Sequence, residues 1–153
     1  MLPSWLVIGG VTFLIALGSS FLRPKDIKWF NRLQRPRWLT FEKAIPIIWT
    51  IVFICGAWSA YIIWEMTKSW QTMLFYMLVE AVIVAYSPVL FWTRSLRNGT
   101  IVGGLGFLLG LFLAVLVFPV STAAGLLLLP YLIWSPIGTY TTWEMGKLNP
   151  ESL

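Results

Sequence analysis

Few side chains in this 153-residue sequence can do chemistry, and their scarcity narrows the choices. Histidine is absent and the single cysteine, Cys55, sits in an apolar run. A His-ligated metal or haem, a His-activated serine and an internal disulfide are thereby excluded. The sequence contains no glycine-rich phosphate loop, no cluster of metal ligands and no pair of facing carboxylates. What remains is one carboxylate, Glu80, inside the run YMLVEAVIVAY, and ten tryptophans. An acid at a bilayer centre costs at least about 2.5–3.5 kcal/mol on insertion scales. Glu80 must therefore face a bundle interior or a cavity. It is either a ligand anchor or proton site, or a protonated carboxyl bonded to a neighbouring hydroxyl or freed carbonyl. Trp5, Trp64, Trp70, Trp92 and Trp143 fall near the ends of apolar runs, where indoles form interfacial belts. Trp49 and Trp134 do not fit that role, and Trp29 and Trp38 lie in a polar stretch. Flat aromatics that converge suit a flat apolar ligand.

The elements that position these residues are membrane helices. The chain is 58% hydrophobic and 11% charged, with a mean hydropathy of +0.79; soluble domains carry about 25% charged residues. A spanning helix needs roughly 20 apolar residues. The pattern predicts an all-α, five-transmembrane-helix bundle forming a single domain over 1–153, with spans at roughly 3–22, 44–64, 70–92, 100–118 and 122–145. The first span has no basic leader and reads as retained. Thr12, Ala16 and Ser20 give it a small face. Pro46 suits the first turn of the second span. Pro88 predicts a kink in the third, and Pro130 and Pro136 predict freed carbonyls in the fifth. Gly106, Gly110 and Ala114, spaced by four, predict a close helix contact within or between chains, and a homodimer is expected.

Residues 23–43 form an aromatic and basic loop, expected to lie over the bundle as a lid. Its aromatics turn inward and its cations stay in water or at lipid headgroups. The spacing of Trp29, Phe30 and Leu33 predicts one short amphipathic helical turn. The net charge of +5 and pI near 9.7 read as a topology signal, not as a nucleic-acid surface. With five crossings, ten of the eleven basic residues fall on the face holding the lid and the C-terminus, and only Lys68 on the other. The positive-inside rule places the first loop and C-terminus in the cytoplasm and the N-terminus outside.

These residues also resemble a family. The lid WFNRLQRPRW (29–38), the run PIIWTIVFICGAWSAYIIWE (46–65), and PYLIW (130–134) with the closing KLNP (147–150) resemble the TspO/MBR family, also called tryptophan-rich sensory proteins, translocator proteins or peripheral benzodiazepine receptors. The resemblance covers nearly the whole chain. It implies a five-helix bundle, commonly dimeric, with a cavity beneath the first loop. It also implies binding of porphyrins such as protoporphyrin, or of haem, and of sterol-like or benzodiazepine-type ligands, with no required cofactor and no metal site. By motif position it places Trp49 and Trp134 in the pocket, and Trp29, Phe30 and Trp38 on the lid. Glu80, Tyr86 and Gly138 complete the expected ligand-binding set, with Arg32 and Arg35 as propionate contacts. Light-dependent porphyrin breakdown, reported for some bacterial members, would make Trp49 and Trp134 the reactive pair. A proton-linked exporter using Glu80 and a scaffold built on the fourth-span glycines are the competing readings. The sequence departs from the family at Ile83 and Thr142, where an Asn is usual.

Overall fold

The computed structural model describes residues 2–17 and 22–153. The described chain is helical, with α1 (Ser4–Leu17), α2 (Pro24–Arg32), α3 (Ile45–Thr67), α4 (Trp70–Thr93), α5 (Leu96–Val117), α6 (Thr122–Leu126) and α7 (Leu129–Leu148). Short 3-10 turns at Glu42–Ala44 and Pro150–Ser152 precede α3 and close the chain. Among the described residues, four helical stretches are long and apolar enough to cross a membrane: Glu42–Thr67, Trp70–Thr93, Leu96–Val117 and Thr122–Leu148. The 14 residues of α1 rise only about 21 Å, short of a roughly 30 Å hydrocarbon core. Residues 18–21 of the expected first span, Ser20 among them, lie outside the described residues, and Leu22, its expected end, is not helical. Many large apolar side chains point outward, among them Trp58, Leu74, Leu108, Val115 and Ile133. In an integral membrane protein these meet lipid, which is as apolar as they are.

The connections explain themselves residue by residue. Lys68 and Arg94 adopt left-handed backbone with φ of 51° and 49° and stop α3 and α4. Each is followed by a serine that caps the next helix: Ser69 accepts from the Thr72 amide at 3.3 Å and Ser95 from the Asn98 amide at 3.1 Å. A left-handed residue ends one helix and a serine oxygen satisfies the free amides of the next, so a reversal takes two residues. The Ser95 cap starts α5 at Leu96, one turn before the Thr100 expected from hydropathy. Arg97 and Asn98, which read as loop, form its first turn.

The last span is not continuous. It breaks at Leu127 and Leu128, between α6 and α7, because Pro130 has no amide proton and sits in the first turn of α7. Ser59 crosses from α3 to hold this break, donating to the Ala124 carbonyl at 2.7 Å. Its only proton is then used, so the Tyr76 hydroxyl, 2.6 Å away, donates to Ser59.

Gly106 and Gly110 are buried where α5 meets α7. A Cβ on Gly110 would lie 2.6 Å from the Tyr131 ring, and one on Gly106 2.7 Å from its hydroxyl. The small face of α5 is thus filled within the chain by Tyr131. Ala114 and Leu113 extend the same core with Val52, Ala60, Ile63 and Met73.

The lid is more ordered than a single helical turn. Pro24 starts α2, which runs two and a half turns. Fully buried Asp26 ties it down, accepting from Arg23 at 2.6 Å and from Arg94, at the end of α4, at 2.9 Å. Burial works against the charge on Asp26. The hydrogen bonds and charges of both arginines outweigh it and hold the carboxyl below its ordinary 3.8. Leu33 packs with Leu90, Phe91, Leu96 and Met145, with Trp29 and Phe30 against them. From the other side Asn149, 3% exposed, takes both backbone groups of Gln34. Its Oδ1 accepts from the Gln34 amide at 2.9 Å and its Nδ2 donates to the Gln34 carbonyl at 3.0 Å.

Candidate functional site

Beneath this lid lies a cavity of about 480 Å³, within the roughly 300–1,000 Å³ range of small-molecule sites. Its walls come from α3, α4, α5 and α7, and its roof from Phe30, Leu39 and Glu42 of the lid. Helix geometry places the lining. Trp49 and Phe53 are one turn apart on α3; Ile83, Ser87 and Leu90 follow along α4; Tyr131, Trp134, Ser135, Gly138 and Thr142 recur every three or four residues on α7. Gly56 leaves open space beyond Phe53, since a Cβ there would meet nothing within 4 Å.

Of the residues singled out from the sequence, Phe30, Trp49, Tyr86, Trp134 and Gly138 line the cavity. Trp49 and Trp134 touch edge to face, with centroids 6.5 Å apart and planes at 89°. Two indoles in that relation cannot sandwich a flat ring between parallel faces. One offers its face where the other offers its edge. Trp29 packs edge-on to Phe91 at 6.2 Å and donates to Ser152 Oγ at 3.2 Å. It anchors the lid to the tail from outside the cavity wall. Trp38, 40% exposed, stacks on Tyr140 at 5.9 Å.

Glu80 is buried but is not on the cavity wall; it faces α1, where Thr12 Oγ1 donates to its Oε1 at 3.1 Å. This contact gives the carboxyl a hydroxyl donor and sets Glu80 apart from the cavity lining. Arg35 is engaged within the lid. Its Nη1 donates to the Phe30 and Leu33 carbonyls, each at 2.6 Å, its Nε and Nη2 reach Glu42, and its guanidinium lies 4.5 Å from the Phe30 ring centroid. That guanidinium fixes the roof and is not free to meet a ligand carboxylate. Arg32 is exposed on α2, away from the lining residues.

The cavity is mostly apolar, and among its lining residues Glu42 alone is charged. Its other polar groups are hydroxyls and the indoles of Trp49 and Trp134. Thr142 Oγ1 donates to the Gly138 carbonyl at 3.0 Å, so the Tyr86 hydroxyl beside it donates to Thr142. Among the described residues, two buried side-chain polar atoms have no hydrogen-bond partner, Trp134 Nε1 and Thr139 Oγ1. Sequence reasoning did not single out Thr139, Ser87 or Ser135. Ser135 and Ser87 directly follow Trp134 and Tyr86, and Thr139 is five residues past Trp134, so none shares a helical face with them by spacing; hydroxyls in spanning helices also usually bond their own backbone, as Thr141 and Thr142 do here. Among the described residues no group of three potential metal ligands comes together.

Comparison with known proteins accords with this arrangement. Residues 6–148 match the family model described as the TspO/MBR family. The chain is 28% identical to the tryptophan-rich sensory protein of Cereibacter sphaeroides, over 91% of this chain and 90% of that protein. It is 28% identical to the tryptophan-rich protein TspO of Bacillus cereus, covering 97% and 99%. It is 26% identical to the human translocator protein, covering 99% and 100%.

Proposed function

The chain belongs to the TspO/MBR family, and from that premise we propose that it is a membrane receptor or carrier for a flat, largely apolar ligand of the tetrapyrrole class. The ligand sits in the cavity under the lid. The observation that carries this reading is the roofed cavity of about 480 Å³, walled by Trp49, Phe53, Tyr86, Tyr131 and Trp134. A planar macrocycle gains apolar contact from every wall and one favourable aromatic face from either indole. With no histidine in the sequence, iron in the ring gains no imidazole ligand, so metal-free porphyrin binds as well as haem. The excess of basic residues around the lid supports an orientation with that end in the cytoplasm and the Lys68 turn outside.

The test is tryptophan quenching titrated with protoporphyrin in the detergent-solubilised full chain. Trp49→Phe and Trp134→Phe each weaken binding by about 0.5–1.5 kcal/mol, roughly two- to tenfold. Glu80→Gln leaves the affinity as in the unsubstituted chain, because Glu80 faces α1. If the unsubstituted chain shows no saturable binding, the tetrapyrrole reading fails. If Glu80→Gln abolishes binding, the cavity is assigned to the wrong place. Running the titration in light and in darkness separates binding from porphyrin breakdown, since only breakdown bleaches the ligand in light alone.

A further inference from the structure

The pair formed by α5 and α7 carries a second recess on its outer face. It is an open groove of about 320 Å³, lined by Thr100, Gly104 and Phe107 of α5 and by Pro136, Tyr140 and Trp143 of α7. A glycine leaves the dent. Four of the five glycines on α5 are required by packing: a Cβ on Gly99, Gly103, Gly106 or Gly110 would lie 2.6–2.9 Å from a side chain of α4 or α7. A Cβ on Gly104 would meet nothing within 4 Å. Glycine inside a helix is less stable than alanine, and no neighbour in the chain requires this one.

The two faces that form the groove continue to the lid end, where they change character. On α5, Arg97, Thr100, Gly104 and Phe107 follow in steps of three and four; on α7, Pro136, Tyr140, Trp143 and Lys147 do the same. Each set therefore lies on one helix face. The helices run antiparallel in a fixed register: Gly103 lies against Thr139, Gly99 against Thr142 and Gly146 against Leu96. Arg97 and Lys147 each directly follow a member of that last pair, so both cations stand at one end of the groove. That end is the lid end, where Leu96 and Met145 pack with Leu33. Both cations are exposed. Lys147 Nζ lies 3.5 Å from the Trp143 ring centroid and 3.3 Å from Glu144. Among the described residues Arg97 has no ion-pair partner.

These dimensions and charges select an occupant. Lys147 and Pro136 are eleven residues apart, about 16 Å of helix rise, which matches one leaflet of a roughly 30 Å hydrocarbon core. An aromatic-walled slot one leaflet deep, with two cations at its water end, complements an acyl chain beneath an anionic headgroup. Basic pockets between spanning helices hold such headgroups, and a guanidinium fork matches phosphate oxygens. We propose that the outer face of α5 and α7 holds one anionic glycerophospholipid, with an acyl chain in the groove over Gly104 and its phosphate between Arg97 and Lys147. The site lies outside the cavity and is independent of what the cavity binds.

Native mass spectrometry of the detergent-solubilised full chain tests this. It is titrated in parallel with dioleoyl phosphatidylglycerol and dioleoyl phosphatidylcholine, which share their chains and differ in net charge. The first phosphatidylglycerol binds about 5- to 30-fold tighter than the first phosphatidylcholine, about fivefold for each cation. Arg97→Gln and Lys147→Gln each lower that ratio about fivefold, whereas Lys28→Gln, at an exposed position of α2, leaves it unchanged. Gly104→Leu fills the slot and weakens the first adduct of both lipids, with no loss of thermal stability because the new side chain meets no neighbour. Equal affinity for the two lipids overturns the proposal. So does a ratio lowered as much by Lys28→Gln as by Arg97→Gln, which makes the preference a property of the whole basic surface. If Gly104→Leu splits a dimer and leaves the lipid adducts intact, the groove holds a second copy of the chain and the lipid assignment fails.

Discussion

Asn149→Ala should open the lid without unfolding the bundle. Asn149 sits just past the end of α7 and makes three hydrogen bonds: it accepts from the Gln34 amide at 2.9 Å and donates to the carbonyls of Gln34 at 3.0 Å and Met145 at 2.8 Å. Only the two bonds to Gln34 cross to the lid; each stabilises by about 0.5–1.5 kcal/mol net, so alanine removes about 1–3 kcal/mol of docking. Gln34 is exposed, and water replaces part of what its backbone loses, which favours the lower half of that range. The docked state survives through Trp29 on Ser152 and Asp26 on Arg94. The open fraction of the lid therefore rises about 5- to 30-fold, while the packed α5–α7 pair is untouched. Amide hydrogen exchange followed by mass spectrometry reads this directly: peptides within 24–44 exchange faster, and peptides from α5 do not. Porphyrin dissociation accelerates in parallel, since the roof of the cavity is part of the lid. Two results refute the reasoning. Unchanged lid exchange means that Asn149 does not clamp it; equal acceleration in α5 means that the substitution loosened the whole fold.

Gly106→Ala places a methyl 2.7 Å from the Tyr131 hydroxyl, and overpacking of this kind costs about 1–3 kcal/mol; Tyr131→Phe removes the clashing oxygen, so thermal unfolding of the double variant should recover most of the loss, and additive losses would rule out the contact. Asp26 titrates below its ordinary 3.8 in the folded chain, so its contribution to lid docking is complete above that value and disappears as pH falls through the depressed one. Acrylamide quenching should show lid tryptophans becoming accessible below about pH 3.8, Asp26→Asn should expose them already at neutral pH, and unchanged quenching in Asp26→Asn would show that the carboxylate does not hold the lid.

How much of this was legible depended on whether a feature is local in the chain. Helical spans follow from runs of apolar residues, and the pocket tryptophans stood out because Trp49 and Trp134 lie away from the interfacial positions indoles favour. The break at Leu127 and Leu128 was half legible: Pro130 announced an interruption of the span, but not that Ser59 on another helix would take the Ala124 carbonyl beside it. The α5 glycines announced a close contact without its partner, because spacing by four is the same for a neighbour in the chain and for a second copy. Glu80 shows the limit most clearly. Its burial could be read from its flanks, but which way it faces is a property of α1 packing on α4, and no pattern around residue 80 encodes that.

The two family departures bear on what the cavity can recognise. An asparagine in a cavity brings two donors and an acceptor. Ile83 brings none, and Thr142 spends its one proton on the Gly138 carbonyl while accepting from Tyr86. The side-chain amides usual at these two positions are thus replaced by an apolar branch and a closed hydroxyl chain. That chain is self-satisfied and has little left to offer a ligand. Thr142→Asn should therefore restore a side-chain amide with a donor to spare at the cavity wall. Protoporphyrin dimethyl ester, which carries neutral acceptors, should then gain about three- to tenfold in affinity over octaethylporphyrin, which has none, relative to the ratio in the unsubstituted chain. Titrating both porphyrins against both chains measures this, and an unchanged ratio would show that position 142 does not reach the ligand.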